Sequence, residues 1–208
     1  MLTVFPLRYT VVNSFFLTCL HLKVHMKTML LILTALFAAL TAAGAFIKIP
    51  FLCSAITLQF FFTALAGVLL GAKYGALSQF VYVALGLVGL PIFTVGGGFG
   101  YLLYPTCGFL IGLIPSAWVI GKLTGGSRSI KRIVPACLAG LAVLYLVGLP
   151  YMAVVLDVCM GKGLSTWGIL MAGMIPYLPG DIVKIIVAGV LAPKPLPHVR
   201  VQAEQAAA

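Results

Sequence analysis

Apolar residues run along this chain in six long blocks, separated by stretches that are charged or rich in glycine and proline. The blocks lie roughly at 28–47, 57–70, 74–90, 108–123, 133–156 and 168–192, the last interrupted by Pro176 and Pro179. A straight helix needs about 20 apolar residues to cross a hydrocarbon core of ~30 Å, so several blocks are short. Short or broken spans persist where they are buried in protein or line a cavity. Pro50, Pro91, Pro105 and the Pro176–Pro179 pair are the candidate break points. The pattern predicts an all-α integral membrane protein, a bundle of six transmembrane helices within a single domain over residues 26–193.

Composition agrees with the pattern. Hydrophobic residues make up 62% of the 208 positions and charged residues 8%, and the mean hydropathy is +1.20. These values belong to a protein that lives in a lipid bilayer. The net charge of +10 raises the possibility of nucleic acid, but no basic cluster is interleaved with aromatics, and topology explains the charge better. With the N-terminus inside, Arg8, Lys23, Lys27, Lys73, Lys122, Arg128, Lys131, Arg132, Lys194 and Arg200 all fall on the cytoplasmic side. Only Lys48 and Lys162 fall outside, and Lys184 lies within the sixth block. This bias obeys the positive-inside rule and places both termini in the cytoplasm.

The ends stand apart from the bundle. Residues 9–22 are apolar but shorter than a comfortable span, and no small-residue cleavage site follows them. Met26, followed by Lys27 and an apolar run, is a natural start, so residues 1–25 are read as a dispensable N-terminal extension. Residues 194–208, rich in proline and then alanine, are read as a flexible cytoplasmic tail.

Small residues are spaced for close helix contact. Ala35, Ala39 and Ala43 recur every fourth residue along one face of the first block, a smooth stripe suited to packing in the bundle or to docking a partner. Gly67/Gly71, Gly71/Gly75 and Gly108/Gly112 are small-xxx-small pairs, best read as tight packing. The cysteines at 19, 53, 107, 137 and 159 show no C-x-x-C spacing and serve as small packing residues, neither disulfides nor a metal site. No P-loop, H-E-x-x-H or G-x-S-x-G motif occurs, and the histidines at 21, 25 and 198 lie outside the bundle. No catalytic residue and no cofactor is expected.

Chemistry concentrates in P-G-D-I-V-K. Asp181 and Lys184 stand three apart in the apolar stretch from Trp167 to Pro193, in a chain whose only other acids are Asp157 and Glu204. An ionised group in a bilayer costs roughly 2.5–3.5 kcal/mol even on the lenient insertion scale, so such groups face a partner or a cavity. At this spacing the two share one helix face and can neutralise each other. They form either an ion pair that fixes helix packing or the polar end of a substrate site. Thr57 and Gln59 add a hydroxyl and an amide at the mouth of the second block. The loop P-I-F-T-V-G-G-G-F-G-Y-L-L-Y-P-T-C-G (91–108) adds Phe93, Phe99, Tyr101 and Tyr104 as aromatic surface. Its triple glycine lets backbone approach a ligand or turn sharply.

Five blocks, in this order and spacing, resemble the BioY family, the biotin S components of energy-coupling factor (ECF) transporters. They are T-A-L-F-A-A-L-T-A-A-G-A-F-I-K-I-P (34–50), I-T-L-Q-F-F-F-T-A-L-A-G-V-L-L-G (56–71), G-L-V-G-L-P-I-F (86–93), the glycine run with Y-P-T-C-G-F-L (96–110), and Y-L-P-G-D-I-V-K (177–184). The chain departs from the family pattern at Phe51–Ser54 and at Cys107, which bears on the shape of two loops. The resemblance implies a six-helix fold that binds biotin near the outer face and is energised by a transmembrane T protein and two ATPase subunits. On that basis Thr57, Gln59, Phe93, Gly97, Gly98, Tyr104, Thr106, Asp181 and Lys184 form the candidate biotin site. Ala35, Ala39 and Ala43 match the family's docking face for the T protein. Asp181 can accept from ureido N–H groups and Lys184 can donate to an oxygen; the spacing leaves open which end of biotin each meets. The alternatives are an S component for a different vitamin or small carboxylate and, less well supported, an intramembrane enzyme.

Overall fold

The computed structural model describes residues 27–51, 54–127, 129–159, 161 and 165–192. The N-terminal extension, the C-terminal tail and the cations at 8, 23, 128, 162, 194 and 200 lie outside the described residues. Helix α1 (Lys27–Phe46) leads into two short antiparallel strands, β1 (Lys48–Phe51) and β2 (Ser54–Thr57), with Lys48 opposite Thr57. Then come α2 (Gln59–Val88), a 3-10 turn at Phe99–Leu103, α3 (Cys107–Thr124), α4 (Ile130–Val158), α5 (Thr166–Gly173) and α6 (Leu178–Leu191). The bundle is helical as the apolar blocks predict; the hairpin between α1 and α2 is an addition, in which a ladder meets the backbone hydrogen bonds of the first loop.

Among the described residues, four helices are long and apolar enough to cross a membrane: α1, α2, α3 and α4. The pair α5 and α6, bent by 45°, raises the number to five if it is one broken span. Pro176 and Pro179 mark that bend. Proline lacks an N–H and so interrupts a helix, yet it fits the first turn of the next one, and Pro179 occupies that place in α6.

Helix α2 is not one rod. Gly71 breaks it at φ 79°, ψ −177°, a left-handed conformation that glycine reaches without a Cβ penalty. A straight helix would hold Gln59 and Tyr82 about 34 Å apart, but their side chains are hydrogen-bonded at 2.6 Å. Thr63 likewise donates to Gln79 at 3.0 Å. Residues 59–70 and 72–88 are therefore antiparallel arms that turn at Gly71, which accounts for two apolar blocks within one continuous stretch. Gly67 faces Gly75 across the turn so closely that a Cβ on Gly75 would lie 2.9 Å from the Gly67 Cα. Gly108 and Gly112 pack against Tyr151 and against Leu144 and Val147 of α4. Gly67, Gly75, Gly108 and Gly112 are thus packing contacts, whereas Gly71, shared by two of the three pairs, serves conformation instead.

Helix α3 packs between α2 and α4, and the core is shared among them, with Tyr82, Ile120, Ile133 and Ile185 almost wholly buried. Cys107 and Cys137 are buried and free. Thr41 on α1 receives Gln79 of α2 in a hydrogen bond of 3.3 Å, and polar pairs of this kind fix helix rotation in lipid. That rotation turns Thr34, Phe37, Ala38 and Thr41 inward and leaves Ala35, Ala39 and Ala43 exposed on the outer face.

One end of the bundle is basic. Gly121 of α3 abuts Ala72, and Gly189 of α6 abuts Ile130 and Val134 of α4. The exposed cations Lys27, Lys73, Lys122, Lys131 and Arg132 therefore share that end. The β1–β2 hairpin, the 3-10 turn and Asp157 lie at the other.

Candidate functional site

Near the end opposite the cations, the helices enclose a cavity of about 350 Å³. This falls within the roughly 300–1,000 Å³ of small-molecule sites, and its make-up is of the same kind, apolar walls with a few placed polar groups. Phe60, Phe109, Leu110, Leu113, Leu144 and Met152 supply the walls. Thr57, Gln59, Tyr145, Asp181 and Lys184 supply the polar groups, and Thr94, Tyr101, Thr106 and Tyr177 also line it.

The helix break positions the ion pair. Asp181 sits in the first turn of α6, where the helix dipole favours an anion. Lys184, one turn on, donates to Asp181 Oδ1 at 2.5 Å and to the Thr57 carbonyl at 2.9 Å. Tyr145 of α4 donates its hydroxyl to Asp181 Oδ2 at 2.6 Å. Both charges are more than nine-tenths buried, and each is met by the other and by a neutral partner, as a buried pair requires. An ammonium has three donors, so Lys184 keeps one beyond these two bonds, and the carboxylate keeps unfilled lone pairs. The site is neutral overall and offers both a donor and acceptors to a ligand.

Five of the nine residues picked from the sequence meet at this cavity: Thr57, Gln59, Thr106, Asp181 and Lys184. The other four do not line it. Phe93 is 1% exposed and lies beneath, edge-on to Tyr82 at 5.6 Å and against Tyr101 at 4.7 Å. It sinks there because Gly86 has no Cβ to oppose its ring. The Gly98 N–H donates to the Gly86 carbonyl at 2.7 Å, and Gly97 lies against the Leu90 carbonyl so closely that a side chain would collide. The glycine run thus fastens the loop to the end of α2. Tyr104 is exposed and stacks on Tyr101 at 5.3 Å. Tyr101 in turn bridges Thr94 and Thr106 through its hydroxyl, at 3.0 and 3.1 Å.

Tyr145, Phe109 and Met152 are missing from the sequence-based set. Tyr145 had one signal, as the sole hydroxyl in the apolar stretch from Cys137 to Pro150. Nothing in the sequence distinguishes Phe109 or Met152 from core residues.

Comparison with known proteins places this geometry in context. A family model described as the BioY family matches residues 20–200. The probable biotin transporter BioY of Lysinibacillus sphaericus is 43% identical over 168 residues, covering 80% of this chain and 86% of that protein. The biotin transporter BioY of Thermotoga maritima is 37% identical over 164 residues, covering 78% and 92%. A crystal structure of the S component for biotin from an ECF-type ABC transporter superposes with a TM-score of 0.69 at 26% identity, covering 82% of this chain and 92% of that one. The match extends over every helix and over the Asp181–Lys184 segment at the polar end of the cavity, and the chain belongs to the BioY family.

Proposed function

We propose that this protein is a biotin-binding S component of an ECF transporter. One observation carries the reading: a cavity with a hydrogen-bonded Asp–Lys pair at its polar end, in a member of the BioY family. Biotin brings a ureido ring with two N–H donors and a carbonyl, an apolar bicycle and a carboxylate arm. The ion pair suits the polar groups and the aromatic and aliphatic walls suit the bicycle. Equilibrium binding of labelled biotin to the purified protein in detergent, with other vitamins as competitors, tests the reading. Displacement by another vitamin at lower concentration would reassign the ligand.

Thr57, Gln59, Thr106, Asp181 and Lys184 are the proposed contacts, with Tyr145 added as the residue that holds Asp181. Phe93, Gly97, Gly98 and Tyr104 are assigned to the loop that covers the site. Tyr145→Phe is expected to weaken biotin binding roughly fivefold with little change in melting temperature. A hydrogen bond to a charged group is worth about 1.5–3 kcal/mol, and only part of that passes through Asp181 to the ligand. Unaltered affinity would remove Tyr145 from the site.

The protein is a multi-pass protein of the cell membrane. We read six spans: α1, the two arms of α2, α3, α4 and the broken pair α5–α6. The fold-back at Gly71 supports separate counting of the arms. The shared basic end supports its assignment to the cytoplasm, which puts the cavity toward the outside and both termini inside. No nucleotide-binding motif occurs in the chain, and energy is assigned to a T protein and two ATPase subunits. The exposed face of Ala35, Ala39 and Ala43 is the proposed docking surface, smooth enough for close helix approach.

The proposed domain limits put residues 1–25 and 194–208 outside the functional unit. Starting translation at Met26 is expected to leave membrane insertion and biotin affinity intact, because the proposed contacts and spans all lie downstream. Failure of the shortened protein to insert, seen by fractionation, would give the extension a structural role.

A further inference from the structure

We infer that Tyr82, which does not line the cavity, is a positioning residue that sets the hydrogen-bond polarity of the site and so its preference for a ligand N–H at Thr57. The inference rests on the cavity being the biotin site.

The argument follows the protons. Tyr82 is fully buried on the second arm of α2, with the Phe93 ring edge-on against it. Its hydroxyl has one proton, which goes to the Ile92 carbonyl at 3.3 Å. The Tyr82 oxygen is left as an acceptor, so the Gln59 side chain must present its amide nitrogen to it, at 2.6 Å. That fixes which way the amide lies. The Gln59 Oε1 then faces Thr57 and accepts the Thr57 hydroxyl proton at 3.1 Å. With that proton committed, the Thr57 hydroxyl offers only lone pairs to the cavity.

The adjoining groups extend the pattern. Lys184 Nζ bonds both the Thr57 carbonyl and Asp181 Oδ1, which leaves it one further donor at the same polar end. The polar end thus offers acceptors at Thr57 and Asp181 and a donor at Lys184. A cyclic urea presents donor, acceptor, donor along its N–H, C=O, N–H edge. An opposite orientation of Gln59 would need the Tyr82 proton for Oε1, leave the Ile92 carbonyl unmet, and free the Thr57 proton to point at the ligand. The Tyr82–Ile92 bond excludes that arrangement, because a buried polar group left without a partner is costly.

The test uses ligand discrimination. Dissociation constants are measured for biotin and for the two cyclic carbamate analogues in which one or the other ureido N–H is replaced by oxygen. The unaltered protein is expected to reject the isomer whose oxygen meets Thr57, since a site built around an N–H donor disfavours an analogue lacking it. In Tyr82→Phe the amide of Gln59 is free to invert and the Thr57 proton can turn to the ligand. The ratio of carbamate to biotin dissociation constants is then expected to fall about tenfold. If Tyr82 only fills space, all three constants move by the same factor and the inference is overturned. Should Tyr82→Phe fail to fold, Thr57→Val removes the acceptor itself at nearly constant shape, and an unchanged ratio there overturns the inference equally. Unaltered protein that fails to bind biotin defeats the reading of the cavity, whereas protein that binds biotin and both carbamates alike defeats only the role of Tyr82.

Discussion

Asp181→Asn is expected to weaken biotin binding more than tenfold, as measured by equilibrium binding to the purified protein. The substitution keeps the shape of the side chain and removes its charge. Lys184 then keeps only the Thr57 carbonyl as a strong partner, and the acceptor facing the ligand is a neutral amide. Truncating one partner of a desolvated charged hydrogen bond typically costs about 2–5 kcal/mol. The same experiment separates the two readings of the pair. If Asp181 and Lys184 only fix helix packing, the melting temperature falls while biotin affinity in the folded fraction stays as it was. If they form the site, affinity falls in protein that still melts cooperatively. Lys184→Met, which keeps the apolar stem, should weaken binding as well.

Ala39→Trp is expected to abolish energised uptake while leaving biotin affinity nearly unchanged. Ala39 is at the centre of the exposed face of α1, and the inward face of the same helix is fixed by the Thr41–Gln79 bond. An indole there meets lipid in the isolated protein and disturbs nothing in the cavity. In the assembled transporter it holds the partner helix away, and helix association in a bilayer depends on such close packing. Uptake assays in cells with a complete coupling module, paired with co-purification of the T protein, measure the effect. Normal uptake would move the docking surface elsewhere, and loss of binding in the isolated protein would make the stripe part of the fold.

The sequence told most where its chemistry was least at home. Asp181 and Lys184 stood out because charge is costly in an apolar run, and the gap between the second and third apolar blocks coincides with the turn, although Gly71 itself read as a packing glycine. Thr57 and Gln59 were visible because they open a block. Tyr145 was hidden, because its contact with Asp181 spans 36 residues and depends on how α4 crosses α6. Phe93, Gly97 and Gly98 were visible as an aromatic, glycine-rich loop. A glycine that admits a ligand and one that admits a neighbouring carbonyl look alike in sequence, however, and here the space is taken by Gly86 and Leu90. The walls of Phe109 and Met152 belong to a cavity that exists only once the helices have packed.

The turn at Gly71 also bears on how the chain enters the membrane. The arm before it, about 12 residues, supplies roughly 18 Å of helix, well short of the ~30 Å a lone span must cover. That arm carries Gln59 and Thr63, and the arm after it carries Ser78, Gln79 and Tyr82. Exposed singly to lipid, Thr63 and Ser78 keep bonds to carbonyls of their own arm, but Gln59 and Tyr82 lose each other, and an unpaired polar group in hydrocarbon is costly. Folded together, Thr63 meets Gln79 and Gln59 meets Tyr82. The low-energy route is therefore joint insertion of the two arms as a helical hairpin, with Lys73 at the turn. The hairpin, already satisfied within itself, is then the platform on which α1 and α3 assemble.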